Sequence, residues 1–373
     1  MNINFIRNLA ILAIACSIAL TAQPKISGLA GMPPVLDPNN VYSETATGKM
    51  SPTVKNHPAR VYVPNSRDNT VSVIDPATMK VIDTIRVGPA KAKGEPQHVV
   101  PSWDLKTLYV TLDLNNTVVP IDPVTGKRGK TMQIDDPYNM YFTPDGKHAI
   151  VVAERMRRLD FYDAQTWKVV EKVPVPCRGV DHVDFSVDGR YLIATCEFSA
   201  QLVKVDVVSR KVLGAISVPN KGGMPQDIKI SPNGKVWYVA DMKFDGLHLV
   251  DGDNFKITGA IMTGKGAHGL YPSRDSKFLY VTNRGEGTVS VIDFATNKIV
   301  KKWTIPGGGS PDMGGVSVDG KMFWVGGRYN DEVYAINTET GTTTKIKVGK
   351  GPHGLCLWPQ PGRYSLGHTG ILR

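Results

Sequence analysis

Short apolar runs separated by turn-forming clusters dominate the chain from about residue 58 onward, and no stretch carries the broad apolar stripe of a long amphipathic helix. Val61-Tyr-Val63 and Leu279-Tyr-Val281 are two such runs. Each is followed, after a polar turn, by a second run rich in β-branched residues, Val71-Ser-Val-Ile74 and Val289-Ser-Val-Ile292. Runs of this kind, bounded by Gly, Pro, Asn and Asp, predict strands.

The pattern repeats every 41 to 45 residues or so, a period that points to a radial array of like units. Each unit has a short first strand, a turn such as Pro144-Asp-Gly-Lys147, Val187-Asp-Gly-Arg190 or Pro232-Asn-Gly-Lys235, and a second strand. A third strand ends near Asp75, Asp122, Asp163, Asp206, Asp251, Asp293 or Asn337, and a fourth follows. The recurring Gly and Asn supply turn conformations, so they are structural and not phosphate loops. Second strands begin near residues 60, 107, 148, 191, 236, 278 and 322, and first strands near 97, 138, 181, 226, 267, 311 and 352. The last first strand, Pro352 to Trp358, has nothing downstream to pair with and must complete the sheet opened by residues 60–88. The prediction is an all-β, seven-bladed β-propeller over 58–358, closed by strands from both chain ends.

Leu279-Tyr-Val-Thr-Asn283 with Gly287-Thr-Val-Ser-Val-Ile-Asp293, and Val61-Tyr-Val-Pro-Asn65 with Asn69-Thr-Val-Ser-Val-Ile-Asp75, resemble the YVTN-type repeat of YncE-like propellers. The resemblance spans nearly all of 58–358. It is specific for the fold and weak for activity.

Composition adds the setting. Arg7 followed by an apolar run from Leu9 to Leu20 has the layout of a secretory signal, assigned to 1–22, which predicts a periplasmic or secreted protein. A lipid anchor at Cys16 is the competing reading. Residues 23–57, with Pro24, Pro33, Pro34, Pro38 and Pro52, form an extended arm, and 359–373 a tail. No later stretch is long and apolar enough to span a membrane. Past the signal only Cys177, Cys196 and Cys356 remain, so no disulfide framework is expected; one bridge between Cys177 and Cys196 stays open, beside a reading of Cys196 and Cys356 as inert buried thiols. The formal charge of +10 favours anionic partners, but Lys and Arg are spread over all repeats with no dense basic tract, which argues against a dedicated nucleic-acid arm.

The candidate chemistry lies on the first strands. Aligned with one another, they place His98, Asn139, His182, Asp227, His268, Asp312 and His353 at one equivalent position. The chain has 8 histidines, too few for four to fall there by chance. Inner strands line the channel of a propeller, so these side chains are expected to converge near one mouth. Neutral imidazoles suit copper, iron or zinc, and Asp227 or Asp312 could ligate or orient them. Second strands end at the same mouth with Asn65, Glu154, Glu197, Asp241 and Asn283, and Arg155, Arg284 and Arg328 lie beside them. Glu154, Glu197 and Asp241 are candidate general bases, and Arg155, Arg284 and Arg328 candidate anchors for an anionic group. The bland alternative pairs Glu154 with Arg155, and Glu197 with Arg284, as loop braces. His57, His148, His248 and His368 are expected to be structural or solvent-facing, although the tail bearing His368 could fold back.

The histidine ring resembles the copper sites of propellers such as thiocyanate dehydrogenase and nitrous-oxide reductase, and the four-histidine iron site of carotenoid-cleaving oxygenases. That resemblance implies a metal-dependent oxidoreductase acting on a small molecule, with copper favoured. No Cys-x-x-Cys-His segment is present, so covalent c-type haem is not expected; a noncovalent haem, as in haem d1 propellers, stays open. The competing expectations are a non-catalytic binding propeller for a peptide, a cell-wall fragment or single-stranded nucleic acid, and the propeller subunit of a dehydrogenase complex with a small protein partner.

Overall fold

The computed structural model describes residues 26–368 and 371–373. The proposed signal segment and Cys16 lie outside the described residues. Seven antiparallel sheets stand around a central channel. We number these blades I to VII in the order of their second strands. The inner strands of blades II to VII are Pro96–Pro101, Pro137–Phe142, Val180–Phe185, Pro225–Ile230, Ala267–Pro272 and Pro311–Val316.

Blade I is the closure. Its inner strand, Cys356–Trp358, pairs with Arg60–Asn65 in the register Arg60↔Trp358, Val61↔Leu357 and Tyr62↔Cys356. Strands from the two ends of the repeat region thus share one sheet, which leaves no open edge between the first and last blade.

Burial follows from face-to-face packing of blades. The inner three strands are covered on both faces and are buried along nearly their whole length, as in Tyr191–Cys196 and Trp237–Asp241. Outermost strands such as Val212–Ser217 and Lys256–Met262 alternate between half-buried and exposed residues, because only one face has a neighbour. Repeated side chains hold the turns. Asp163, Asp206 and Asp293 each accept from the backbone N–H and the hydroxyl three residues on, at 2.7 to 3.0 Å. At the other end, Ser186 donates to Asp188 at 2.7 Å while Gly189 takes φ +71°, a conformation other residues enter only at a cost.

The tail departs from a simple appendage. Ser365–Gly367 and Ile371–Leu372 pair as a hairpin, and Gly367 pairs with Tyr141 on the channel edge of blade III. The hairpin therefore lies inside the channel. Arg373 donates to the buried Asp184 of blade IV at 3.0 Å and lies over the Tyr42 ring of the N-terminal arm. That arm crosses the same face, with Leu29 and Val41 bonded to Asp188 and Pro232 in the first-to-second-strand turns. Both chain ends close the channel on the face opposite the mouth.

One disulfide is present, Cys177–Cys196, and Cys356 is a free buried thiol. Cys196 is therefore not a thiol, and the bridge ties the approach to blade IV's inner strand to the end of its second strand.

Candidate metal centre

The inner strands of blades II to VII share one irregularity. Between Pro96↔Leu112 and Val99↔Val110 the inner strand spends one residue more than its partner, and the same extra residue recurs in the other five. This β-bulge presents two consecutive side chains to the channel where a regular strand would present one. The channel wall accordingly has two levels. Gln97, Tyr138, Asp181, Gln226, His268, Asp312 and His353 form the upper level, nearer the mouth. His98, Asn139, His182, Asp227, Gly269, Met313 and Gly354 form the lower. The backbone N–H groups of His98, His182 and Gly269 mark the lower level, each donating to a threonine hydroxyl, of Thr111, Thr195 and Thr282, at 2.7 to 3.2 Å.

The seven positions expected at one level are thus divided. His98, Asn139, His182 and Asp227 sit one residue deeper than His268, Asp312 and His353. The bulge is the reason: aligning by residue type slides three blades by one position.

At the lower level His98 and His182 meet His368, which rises from the channel hairpin. Ligand atoms of the three lie within 4.8 Å of one another, and all three residues are buried. Ring centroids are 5.5 Å apart for His98 and His182, 5.0 Å for His98 and His368, and 4.5 Å for His182 and His368. The His98 Nδ1 donates to the Tyr138 carbonyl at 2.9 Å, which fixes the tautomer and leaves Nε2 with a free lone pair and no hydrogen-bond partner. Neither ring nitrogen of His182 has a hydrogen-bond partner; its Nδ1 lies 2.9 Å from Asp181 Oδ1 but outside bonding alignment. The His368 Nδ1 faces the Asn139 amide at 3.1 Å. Burial, then the adjacent His182, holds His98 and His368 well below the usual imidazole range, and burial lowers His182 as well. Neutral imidazoles are the ligand form. A Cβ at Gly354 would fall on the His98 ring, so that glycine makes the room the ring occupies.

The other half of the wall carries ion pairs, with Asp312 Oδ2 and His353 Nδ1 left without hydrogen-bond partners. Asp312 takes Arg284 at 3.0 Å, and lies 3.9 Å from Arg328, 3.2 Å from His268 Nδ1 and 3.6 Å from His353 Nε2. Asp312 thus pairs with Arg284 and lies close to Arg328, and His268 and His353 stand beside it, apart from the trio. Asp227 is fully engaged with backbone: it accepts from Ile228 and, across the blade interface, from Leu270, both at 2.9 Å. The latter is an N–H displaced by the bulge of blade VI. Asp241 accepts from Met224, Lys243 and Phe244 and faces the buried His248 at 3.2 Å. Burial opposes its charge, but these bonds prevail and hold its carboxyl below the usual range. Both aspartates brace loops or blades and have no free oxygen to offer a metal.

The family model described as YncE-like beta-propeller matches residues 22–361. The chain belongs to that family. Among solved structures, this YncE-like chain is similar to a functionally unknown protein from Desulfotomaculum acetoxidans at 15% identity and TM-score 0.69, covering 80% of this chain and 98% of that one. It is also similar to Kuenenia stuttgartiensis hydrazine synthase, at 19% identity and TM-score 0.58 with 75% and 90% covered. A third is the dihydro-haem d1 dehydrogenase NirN in complex with DHE, at 15% identity and TM-score 0.59 with 87% and 82% covered. At these identities the likeness is one of fold. No curated protein matches the chain.

Above both levels, the first residue past each second strand makes the rim of this YncE-like channel. By register these are Ser66, Asp113, Glu154, Glu197, Met242, Arg284 and Arg328. Acids occupy three successive blades, and arginines two blades across the channel. Glu154, largely by burial and then by Asp181 and Glu197, is pushed up to about 10, and Asp113, by burial and then Glu95, to about 6. The expected brace pairs do not form: Arg155 bonds Asp136 at 2.6 Å, and Arg284 bonds Asp312.

His57 lies against Trp358, whose indole N–H donates to its Nδ1 at 3.1 Å, and His148 is half-buried beside Phe161, far from the channel in sequence register. His368 belongs to the site rather than to the structural histidines. The hint in the sequence was the tail's capacity to fold back; because it lies outside the repeat, no alignment of blades could place it.

Proposed function

We propose that this chain is an exported metalloprotein that holds one transition-metal ion on His98, His182 and His368, with copper favoured over iron or zinc, and works as an oxidoreductase on a small molecule entering at the rim. One observation carries this reading: three buried, neutral imidazoles converge in a channel while a nitrogen of His98 and both of His182 lack any hydrogen-bond partner. Burying such groups without partners costs about 1–3 kcal/mol each, so a ligand that satisfies them is the economical explanation. An all-nitrogen set of this kind suits copper and zinc more than calcium or magnesium.

Export is supported by the disulfide Cys177–Cys196, since such bonds persist chiefly in oxidising compartments. A copper ion there would supply one-electron chemistry, with electrons passed to an external acceptor. The chain's own part is geometric and protonic. The hairpin blocks the far end, so a reactant reaches the trio only from the rim. On that path Glu154 is held protonated and Glu197, which accepts from Gln226 at 2.8 Å, is the adjoining carboxylate able to take up a proton. Arg284 and Arg328, tied to Asp312, lend positive charge to the opposite wall. The redox neighbours in fold share architecture with this chain and do not carry the argument.

Metal analysis of protein purified without chelator and then loaded with Cu²⁺ tests the reading. About one equivalent is expected, with nitrogen hyperfine structure in its paramagnetic resonance spectrum. His98→Ala, His182→Ala and His368→Ala should each lower affinity by roughly a hundredfold, whereas His353→Ala retains the ion. Absence of stoichiometric copper, iron or zinc after loading would sink the metalloprotein and leave the binding-propeller reading standing.

A further inference from the structure

The rim of blades III and IV gathers carboxyl groups that no lysine or arginine among the described residues pairs with. Glu154 and Glu197 occupy the same repeat position on neighbouring blades, and Asp181 stands one level below them. Asp181 is fully buried, yet neither of its oxygens has a hydrogen-bond partner. The Tyr138 hydroxyl lies among the three: after burial, Asp181, Glu197 and Glu154 act on it in that order. It eases the charge on Asp181 without reaching hydrogen-bond geometry. Among the described residues no lysine or arginine pairs with Glu154, Asp181 or Glu197. Arg155, the nearest in sequence, is committed to Asp136 and to the Asp113 carbonyl, each at 2.6 Å.

A buried carboxyl group without hydrogen-bond partners is costly in either protonation state, and a cation arriving from outside would both satisfy and ionise it. The spacing selects the kind of cation. Only the histidine trio, among the described residues, brings ligand atoms within 4.8 Å of one another, so the carboxylates do not form a compact metal cage. An ammonium group differs from a bare ion. Its N–H bonds, each about 2.8 Å to oxygen and diverging tetrahedrally, reach acceptors roughly 4.6 Å apart, wider than the cage of a bare ion, and an aromatic ring beside it adds attraction. Tyr138 and Glu197 are partly exposed, so this pocket is open to the mouth.

We infer that Glu154, Asp181, Glu197 and Tyr138 form a binding site for a protonated primary amine, directly above the histidine trio. The inference names the substrate class of the site in the proposed function and rests on that reading for its chemical meaning. Binding itself needs no metal, which separates the two.

Calorimetric titration of the metal-free full chain with n-butylammonium, and in parallel with the neutral isostere n-butanol, is the test. Saturable binding of the amine at one site and none of the alcohol is expected. Glu154→Gln combined with Glu197→Gln should weaken amine binding at least tenfold, and Asp181→Asn should do so alone, with circular-dichroism melts checking that each variant is folded. Equal affinity for amine and alcohol, no saturable amine binding, or folded carboxamide variants that bind unchanged would each overturn the inference. Copper uptake in the same samples reports separately on the metal reading.

Discussion

The two halves of the channel wall are built from the same residue types and differ in how far the chain satisfies them. Across blades VI, VII and I, Asp312 lies 3.0 to 3.9 Å from Arg284, Arg328, His268 and His353, and two buried atoms, Asp312 Oδ2 and His353 Nδ1, have no hydrogen-bond partner. Across blades II to IV, His98, His182 and Asp181 are as deeply buried but leave five nitrogen and oxygen atoms without hydrogen-bond partners. Buried polar groups in folded proteins are nearly all satisfied. The half-ring with internal ion pairs reads as architecture, and the half-ring with more unpartnered atoms and no Lys or Arg pair is the better candidate for an external ligand. Histidine count alone cannot make that distinction; partner count can.

The comparison breaks most visibly at its two aspartates. Asp312→Ala strips from Arg284 and Arg328 the only carboxylate paired with them among the described residues, and uncovering a buried pair of this kind costs about 3–5 kcal/mol. Asp181→Asn in metal-free protein replaces a buried carboxyl group that has no hydrogen-bond partner and keeps the shape. It is expected to change stability by less than about 1 kcal/mol, with a rise as the favoured direction. Denaturant melts of the two variants decide this. A large loss from Asp181→Asn would mean that the chain satisfies the second half as far as the first, and the contrast would collapse.

A smaller effect tests the bulge. Asp227 collects the Leu270 N–H that blade VI's bulge displaces, so Asp227→Ala orphans that donor and Ile228 N–H together. A loss of about 1–3 kcal/mol is expected, with copper uptake unchanged because Asp227 has no free oxygen for the ion. Loss of copper in a fully folded variant would return Asp227 to the ligand set.

The bulge also explains what the sequence could and could not reveal. Turn chemistry repeats in every blade, Asp or Asn closing the third strand and Asp-Gly or its like after the first, so blade number, strand starts and the closure by Pro352 to Trp358 were legible. The channel register was not. One inserted residue per inner strand shifts His268, Asp312 and His353 against His98 and His182, and residue type favours the false alignment because six of the seven inner strands offer a histidine or aspartate within one step. His368 lay beyond reach for a different reason. Its position depends on the Gly367↔Tyr141 pairing and on Arg373 reaching Asp184, contacts between a non-repeating tail and blades more than two hundred positions earlier in the case of Tyr141. Arg284 and Arg328 were placed at the mouth, but their commitment to Asp312 could not be read without the two levels.

The smallest effect concerns pH, one histidine at a time. His98, His182, His268, His353 and His368 are all held below the usual value of 6.5, chiefly by burial. In the unfolded chain they take up protons as pH falls through 6.5, whereas in the folded chain they remain neutral. The unfolded state then binds more protons, so stability contributed above 6.5 is lost as pH falls below it, by up to about 1.4 kcal/mol per pH unit for each group. In metal-free protein, His98→Gln and His353→Gln should therefore flatten the acid limb of the stability curve to the same small extent, since both rings are buried and neutral. Zn²⁺ should separate them. By binding the trio it resists protonation of the parent and of His353→Gln, but not of His98→Gln, where the ion is lost. Thermal melts from pH 7 to 5 with and without Zn²⁺ check this, and an equal response of the two variants to the ion would erase the distinction between the ion-paired half of the channel and the half that receives a ligand.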